Sequence, residues 1–337
     1  MENVDYAKTV SETWRHYDLA AGQDYMNLVR YATLAASSHN TQPWKFRLER
    51  GRIVILPDFS RRCPAVDPDD HHLYASLGCA AENLLLAAQA AGLRGHCSWD
   101  PSSSSVQVDL EHATPAGSAL FDAIPRRQCS RSEYDGTALP GEQLGRLEEV
   151  GQGSGVSVIL LTARQQKEQV AEYVAQGNTA QFGDPRWTRE LRRWIRFNAR
   201  DAVDTGDGLF GPVMGSPDVP RWLGDLFMRT VFSARRQNRK DVAHIRSSAG
   251  IAVFISDVDD RPHWIEAGRC YERLALQAAA LGLRTAFINQ PVEVPALRRQ
   301  FAAFLGIGNR RPDLVVRFGR GPEMPRSLRR PVEQVLA

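Results

Sequence analysis

Two periods of hydrophobic spacing run along this chain, and the places where one gives way to the other mark its elements. Within residues 22–36, Tyr25, Leu28, Tyr31, Ala32 and Ala35 fall at helical spacing and predict an amphipathic helix. The stretches WKFRLE and GRIVILPD alternate instead, so they predict two strands joined at Arg50-Gly51. RRCPAVDPDD reads as a loop, and HHLYASLGCAAENLLLAAQAAGLRG as a long Ala- and Leu-rich helix ended by Gly92. After HCSWD and the linker PSSSS comes a strand, VQVDLEH. The first half is thus expected to hold a helix, a hairpin, a longer helix and one further strand.

Beyond it, SALFDAIPRRQ and GEQLGRLEEVGQG predict short helices, VSVILLT a strand, and residues 164–177 and 186–200 two more helices. Residues 201–219, DAVDTGDGLFGPVMGSPDV, are Gly-rich and predict an irregular loop, a candidate lid. The order then runs strand GIAVFISD, turn DDRP, helix WIEAGRCYERLALQAAALGLRT, loop INQPVEV, helix 295–305, strand DLVVRFGRG and a basic tail.

The two halves share a pattern. Shifted by 190 positions, residues 78–94 lie on residues 268–284 with 9 of 17 identical, glycines at matching places and Glu82 over Glu272. An apolar strand precedes each helix. A tandem duplication accounts for this, and the expected fold class is α+β: two related halves, residues 1–115 and 116–337, forming an internal pseudo-dimer of sheets packed by helices. A ligand site is then expected in the crevice between halves.

Composition narrows the functional classes. A net charge of +3, from 42 Lys and Arg against 39 Asp and Glu, is too small for a nucleic-acid surface. The arginines at 298, 299, 310 and 311 read as a solvated face. No run of 18 apolar residues suggests a membrane span, and the polar N-terminus lacks the pattern of a secretory signal. Five cysteines without a CxxC pair suggest a reducing, cytoplasmic setting. His71-His72 has no accompanying HxxxH or HExxH spacing, so no metal site is expected.

Three clusters carry candidate chemistry. In ASSHNTQPW, Ser37, Ser38, His39, Asn40 and Gln42 supply more hydrogen-bonding groups than a helix cap needs. In IPRRQCSR, Arg127 and Arg131 bracket Cys129 and can form a cationic fork. In the tail SLRRP, Arg329 and Arg330 can join the same anion. Polar donors at one end and cations at the other suit a mononucleotide.

These pieces, SSHNTQPWKF, AI..R.C.R..YDG at 123–136, the G..YERLALQAAALGL helix with INQPVE, and RFGRGP with RRPVEQVL, resemble the nitroreductase family of flavin-dependent oxidoreductases, and within it the tandem, single-chain Acg-like branch. The resemblance runs from about residue 20 to the last residue. It implies one FMN per chain, approached by Ser37, Ser38 and Asn40, with Gln42 supporting their loop. Arg127, Cys129 and Arg131 are implied on the ribityl phosphate side, with Arg329 and Arg330 closing around the phosphate. The main chain of Phe287, Ile288 and Asn289 is implied along the isoalloxazine face and N5 edge. Cys129 replaces the family's Ser or Thr, and Asn289-Gln290 replaces a frequent Glu-Gly. The second pseudo-symmetric site is expected to be degenerate.

The implied activity is FMN-dependent hydride or electron transfer from NADH or NADPH to a nitroaromatic, quinone-like or biosynthetic small molecule, with the flavin rather than a side chain carrying the chemistry. The alternative is FMN storage, sequestration or sensing, with residues 201–219 closed over the flavin. No GxGxxG in a strand–turn–helix setting identifies the donor. Small-molecule partners, no nucleic acid and no membrane are expected. A monomer is favoured, since an internal pseudo-dimer already buries the usual dimer faces, with a homodimer as the alternative.

Overall fold

The computed structural model describes residues 5–17, 19 and 25–337; part of the 22–36 segment lies outside them, and its helix is described over Tyr25–Thr33. Ten strands follow in chain order: β1 Trp44–Glu49, β2 Arg52–Pro57, β3 Leu93–Asp100, β4 Ser105–His112, β5 Val156–Leu161, β6 Ile195–Arg196, β7 Leu209–Phe210, β8 Gly250–Ser256, β9 Arg284–Phe287 and β10 Arg311–Gly319. Two antiparallel sheets result, ordered β1-β2-β4-β3 and β5-β8-β10-β9, while β6 and β7 form a small parallel pair. The two sheets are topologically equivalent strand for strand, each with a long helix after its second strand. The fold is α+β.

Those helices, His71–Ala90 and Arg261–Ala280, cross at the centre of the molecule. A Cβ added to Gly78 would stand 1.9 Å from the carbonyl oxygen of Ile265, and one added to Gly268 would stand 1.9 Å from that of Ala75. Both pairs are related by the offset of 190, so the crossing is symmetric: each glycine lets the other helix's backbone come within reach. The first helix is buried on nearly every side, which explains its lack of an apolar stripe.

The halves differ in what covers their sheets. The first sheet keeps a partly exposed face, seen in the alternation of buried Val106, Val108 and Leu110 with Gln107 and Asp109 along β4. In the second, β8 and β10 are buried at every position, between the central helix and a layer built from Val170, Val174, Ile245 and Phe301. That layer comes from residues 162–249 and from residues 288–307. Where β1 and β2 meet in a tight turn at Arg50-Gly51, β5 and β8 are separated by helices Arg164–Phe182, Pro185–Trp194, Ala199–Thr205, Arg221–Thr230 and Ala234–Arg246.

Several expectations need correction. Residues 201–219 are not an irregular loop: they contain the end of a helix, β7 and a 3₁₀ turn, and Leu209, Phe210 and Val213 are buried. The segment LRGHCSWD is a full strand, β3, and RTAF a second unanticipated one, β9. Arg311 is not solvated but buried, paired with Asp259 at 2.5 Å and Asp69 at 3.2 Å. The basic tail leaves β10 and crosses to the first sheet, where the Ala337 amide donates to Phe46 O at 2.9 Å. Among the described residues no helix is long and apolar enough to cross a membrane.

Candidate functional site

The polar stretch after helix Tyr25–Thr33 is held in a strained shape. His39, Asn40 and Gln42 all have positive φ, at 49°, 54° and 52°, which costs a non-glycine residue about 1–3 kcal/mol each. Side chains fix it from within and from outside. The Gln42 amide N–H donates to Ser37 Oγ at 3.0 Å, and Asn40 Nδ2 donates to the carbonyls of Gly208 and Leu328, both at 3.1 Å. Gln42 Nε2 donates to Gly206 O at 2.8 Å, while its Oε1 accepts from the Arg330 amide at 2.9 Å. The loop is thus stitched to residues 206–208 and to the tail.

Beside it lies a small space with four arginines on its wall, Arg127, Arg131, Arg326 and Arg329, and no carboxylate. Arg127 is buried against Glu272, its Nε 2.9 Å from Oε1, and donates to Leu34 O at 2.7 Å. Arg329 donates to the carbonyls of Thr33, Leu34 and Ala35, capping the C-terminus of helix Tyr25–Thr33. Burial, then the charge of Arg127, pushes its guanidinium down to about 9. Arg326 donates to Pro125 O and Arg126 O, and with Arg329 it sandwiches the Trp14 ring at 5.1 and 4.8 Å. Arg131 alone makes no hydrogen bond or ion pair among the described residues. It is placed by a stretch whose Ser130 amide donates to Thr285 O, running Cys129 beside β9.

The space continues into a cleft of about 200 Å³ lined by Ser37, Ser38, His39, His72, Asn289 and Gln290, with Leu209, Trp187 and Phe287 as its apolar walls. Burial, then Arg131 and then His72, lowers the His39 imidazole to about 4, so it is neutral at pH 7. Asn289 is aimed by two contacts, Oδ1 accepting from the Val315 amide at 2.8 Å and Nδ2 lying 3.4 Å from His72 Nε2. Two buried atoms here have no hydrogen-bond partner, His72 Nδ1 and Gln290 Oε1.

The structure therefore gathers Ser37, Ser38, Asn40, Arg127, Cys129, Arg131, Phe287, Asn289 and Arg329 around one crevice drawn from both halves. It does not bring three others to it. Gln42 and Arg330 sit beneath the loop, where the Arg330 guanidinium donates to the carbonyls of Gln42 and Trp44. Ile288 faces the second apolar layer, its amide spent on Val315 O. Arg326, Trp14 and His72 were not anticipated, whereas Leu209 belongs to the segment 201–219 expected as a lid. Only Arg326, immediately before the tail motif SLRRP, carried a local signal.

Asp67, His71 and His72 also bring ligand-type atoms within 4.8 Å of one another. Asp67 uses both oxygens to accept the His72 and Leu73 amides at 3.0 Å, and His71 Nε2 lies 2.9 Å from Asp313. These atoms cap the helix and tie it to β10.

No family model matches the chain. Among curated proteins it is 26% identical over 321 residues, spanning 90% of this chain and 88% of the relative, to “Putative NAD(P)H nitroreductase Rv3131” of Mycobacterium tuberculosis. It is 24% identical over 322 residues, 91% of this chain and 93% of the relative, to “Putative NAD(P)H nitroreductase acg” of the same organism. Among solved structures, a nitroreductase with bound FMN from Desulfitobacterium hafniense covers 65% of this chain and 97% of its own, at 11% identity and a TM-score of 0.40. The resemblance to the nitroreductases, and to Acg among them, extends along nine-tenths of the sequence.

Proposed function

We propose that the chain binds one FMN in this crevice and acts as an NAD(P)H-dependent oxidoreductase on a small-molecule acceptor. The observation that carries the reading is the joining of a carboxylate-free arginine wall to a row of hydroxyl, amide and imidazole groups. One end suits a phosphate, the other a polar ring system. The donor set fits FMN: among the described residues Arg131 has no hydrogen-bond or ion-pair partner to give up, and Gln290 Oε1 is a buried acceptor still unmatched.

Bound there, FMN would supply the capacity to take hydride at N5 from NADH or NADPH and pass it to the acceptor. The chain's own part is placement and exclusion. Arg127, Arg326 and Arg329 already spend N–H groups on main-chain carbonyls, so they offer a fixed positive field and their remaining donors. Arg131 offers a whole guanidinium. Ser37, Ser38 and Asn40 present polar atoms on a loop that cannot relax, and neutral His39 adds hydrogen-bonding capacity without a further charge. Gln42 and Arg330 act one step back, as supports. Leu209, Trp187 and Phe287 keep water from the ring's place.

The storage or sensing alternative draws on Leu209, which lies against both spaces. Turnover is favoured because, of the rest of residues 201–219, only Val213 reaches the arginine-walled space and none lines the cleft: Phe210 turns away onto Tyr6, with ring centroids 4.5 Å apart, and Met214 lines the neighbouring cavity beside Phe287. The reading of one site per chain draws on the place related by the 190-residue offset. There Glu82, the counterpart of Glu272, is paired with Arg269 at 3.0 Å and Arg273 at 2.9 Å.

Anaerobic stopped-flow absorbance of the flavin-loaded protein mixed with NADH or NADPH tests this reading. Bleaching of the oxidised flavin band is expected; a bound flavin that stays oxidised with both donors would favour storage or sensing.

A further inference from the structure

We propose that the apolar cavity next to the cleft binds an amphipathic anion, an apolar ring or chain bearing a carboxylate. The cavity measures about 460 Å³, within the range of small-molecule sites. Phe182, Trp187, Leu191, Phe197, Met228 and Phe232 form its apolar wall. Leu223 and Phe227, 39% and 46% exposed, stand at its rim and give a way in. It meets the cleft at Arg131, Trp187, Phe287 and Gln290, which line both.

The charge of its polar end decides the ligand class. Arg131, Lys240 and Arg317 all line it, and among the described residues none of them forms an ion pair. Lys240 Nζ donates to Met214 O at 2.6 Å; the Arg317 guanidinium donates to the carbonyls of Ser130, Ser132 and His244 and lies over the Tyr134 ring at 4.1 Å. The one carboxylate on the lining, Asp241, is occupied by two amides, Gln237 Nε2 at 2.9 Å and Asn178 Nδ2 at 2.8 Å. His244 adds no negative charge. Three cations against one carboxylate leave this largely apolar space with an excess of positive charge, which a carboxylate ligand offsets where a neutral ligand of the same shape cannot.

That this ligand is the electron acceptor rests on the flavin reading; that the cavity holds an anion does not. The test is calorimetric titration of the purified full chain, its flavin content recorded, with biphenyl-4-carboxylate and with the near-isosteric biphenyl-4-carboxamide. The carboxylate is expected to bind about tenfold tighter, a difference typical of one charge-assisted contact. Lys240→Met is expected to remove most of that preference while leaving carboxamide affinity within about twofold, and Lys240→Arg to keep it. Equal affinities in the wild type, or a preference untouched by Lys240→Met, would overturn the proposal. Carboxylate preference in protein that retains no added FMN would sink the oxidoreductase reading and leave this one standing. Flavin reduction by NADPH without any preference would do the reverse.

Discussion

Arg127 and Arg131 are four positions apart and read alike in the sequence, yet they are held in opposite ways. Arg127 is buried against Glu272, and its removal leaves a buried carboxylate with no countercharge. Arg127→Ala is therefore expected to cost about 3–5 kcal/mol of folding stability, as for other broken buried pairs. Arg131 has no such partner among the described residues, so Arg131→Ala is expected to stay within about 1 kcal/mol of wild type while lowering FMN affinity about tenfold or more. Urea denaturation and flavin titration of the two single variants separate these effects. An Arg131→Ala protein with unchanged flavin affinity would remove that residue from the site. The sequence pattern supplied the cations; which of them is free for a ligand was settled by Glu272 and Leu34, from elements distant in the chain.

At the scale of elements, the central crossing depends on two glycines whose missing Cβ atoms make room for a carbonyl of the opposite helix. Gly78→Ala and Gly268→Ala are each expected to destabilise by about 3 kcal/mol or more, since the obstacle is backbone and cannot rotate away. Because the two contacts are equivalent, their costs should be similar; a loss under about 1 kcal/mol in either, by chemical denaturation, would show that the helices can separate there. The 190-residue offset brought these glycines into register on sequence grounds alone. Strands β3 and β9 were harder to read. β3 carries Gly95 and partly buried residues on both faces, and β9 has only four residues, so neither alternates cleanly. Pairing with β4 and β10 makes them strands.

Over the whole molecule, the last fifteen or so residues join the halves. They bring Arg326 and Arg329 to the arginine wall, sandwich Trp14, fix Gln42 and end beside Phe46, which is completely buried. A chain ending at Pro322 is expected to lose bound FMN and to unfold at markedly lower urea than the full chain. Stoichiometric flavin in the truncated protein, measured by absorbance after desalting, would mean that the tail is dispensable for the site. The insertion between β5 and β8 has a different role. It replaces what is a two-residue turn in the first half with helices that help to cover the second sheet and supply most of the wall of the apolar cavity.

Local information decided much of this protein: the two long helices and their kinship, the alternating strands, and the residues from Ser37 to Gln42 and Arg127 to Arg131 that carry its polar chemistry. Those signals are legible because period, capping and side-chain type act over a few neighbouring residues. Tertiary structure decided the rest. It turned Arg329 onto a helix end, placed Gln42 and Arg330 beneath the loop rather than in the crevice, buried Leu209 at the cleft and left Arg131, Lys240 and Arg317 without an ion pair among the described residues. Whether a charge is paired, and whether a segment is lid or wall, depends on what lies opposite it in space, and those neighbours here stand up to about three hundred residues away.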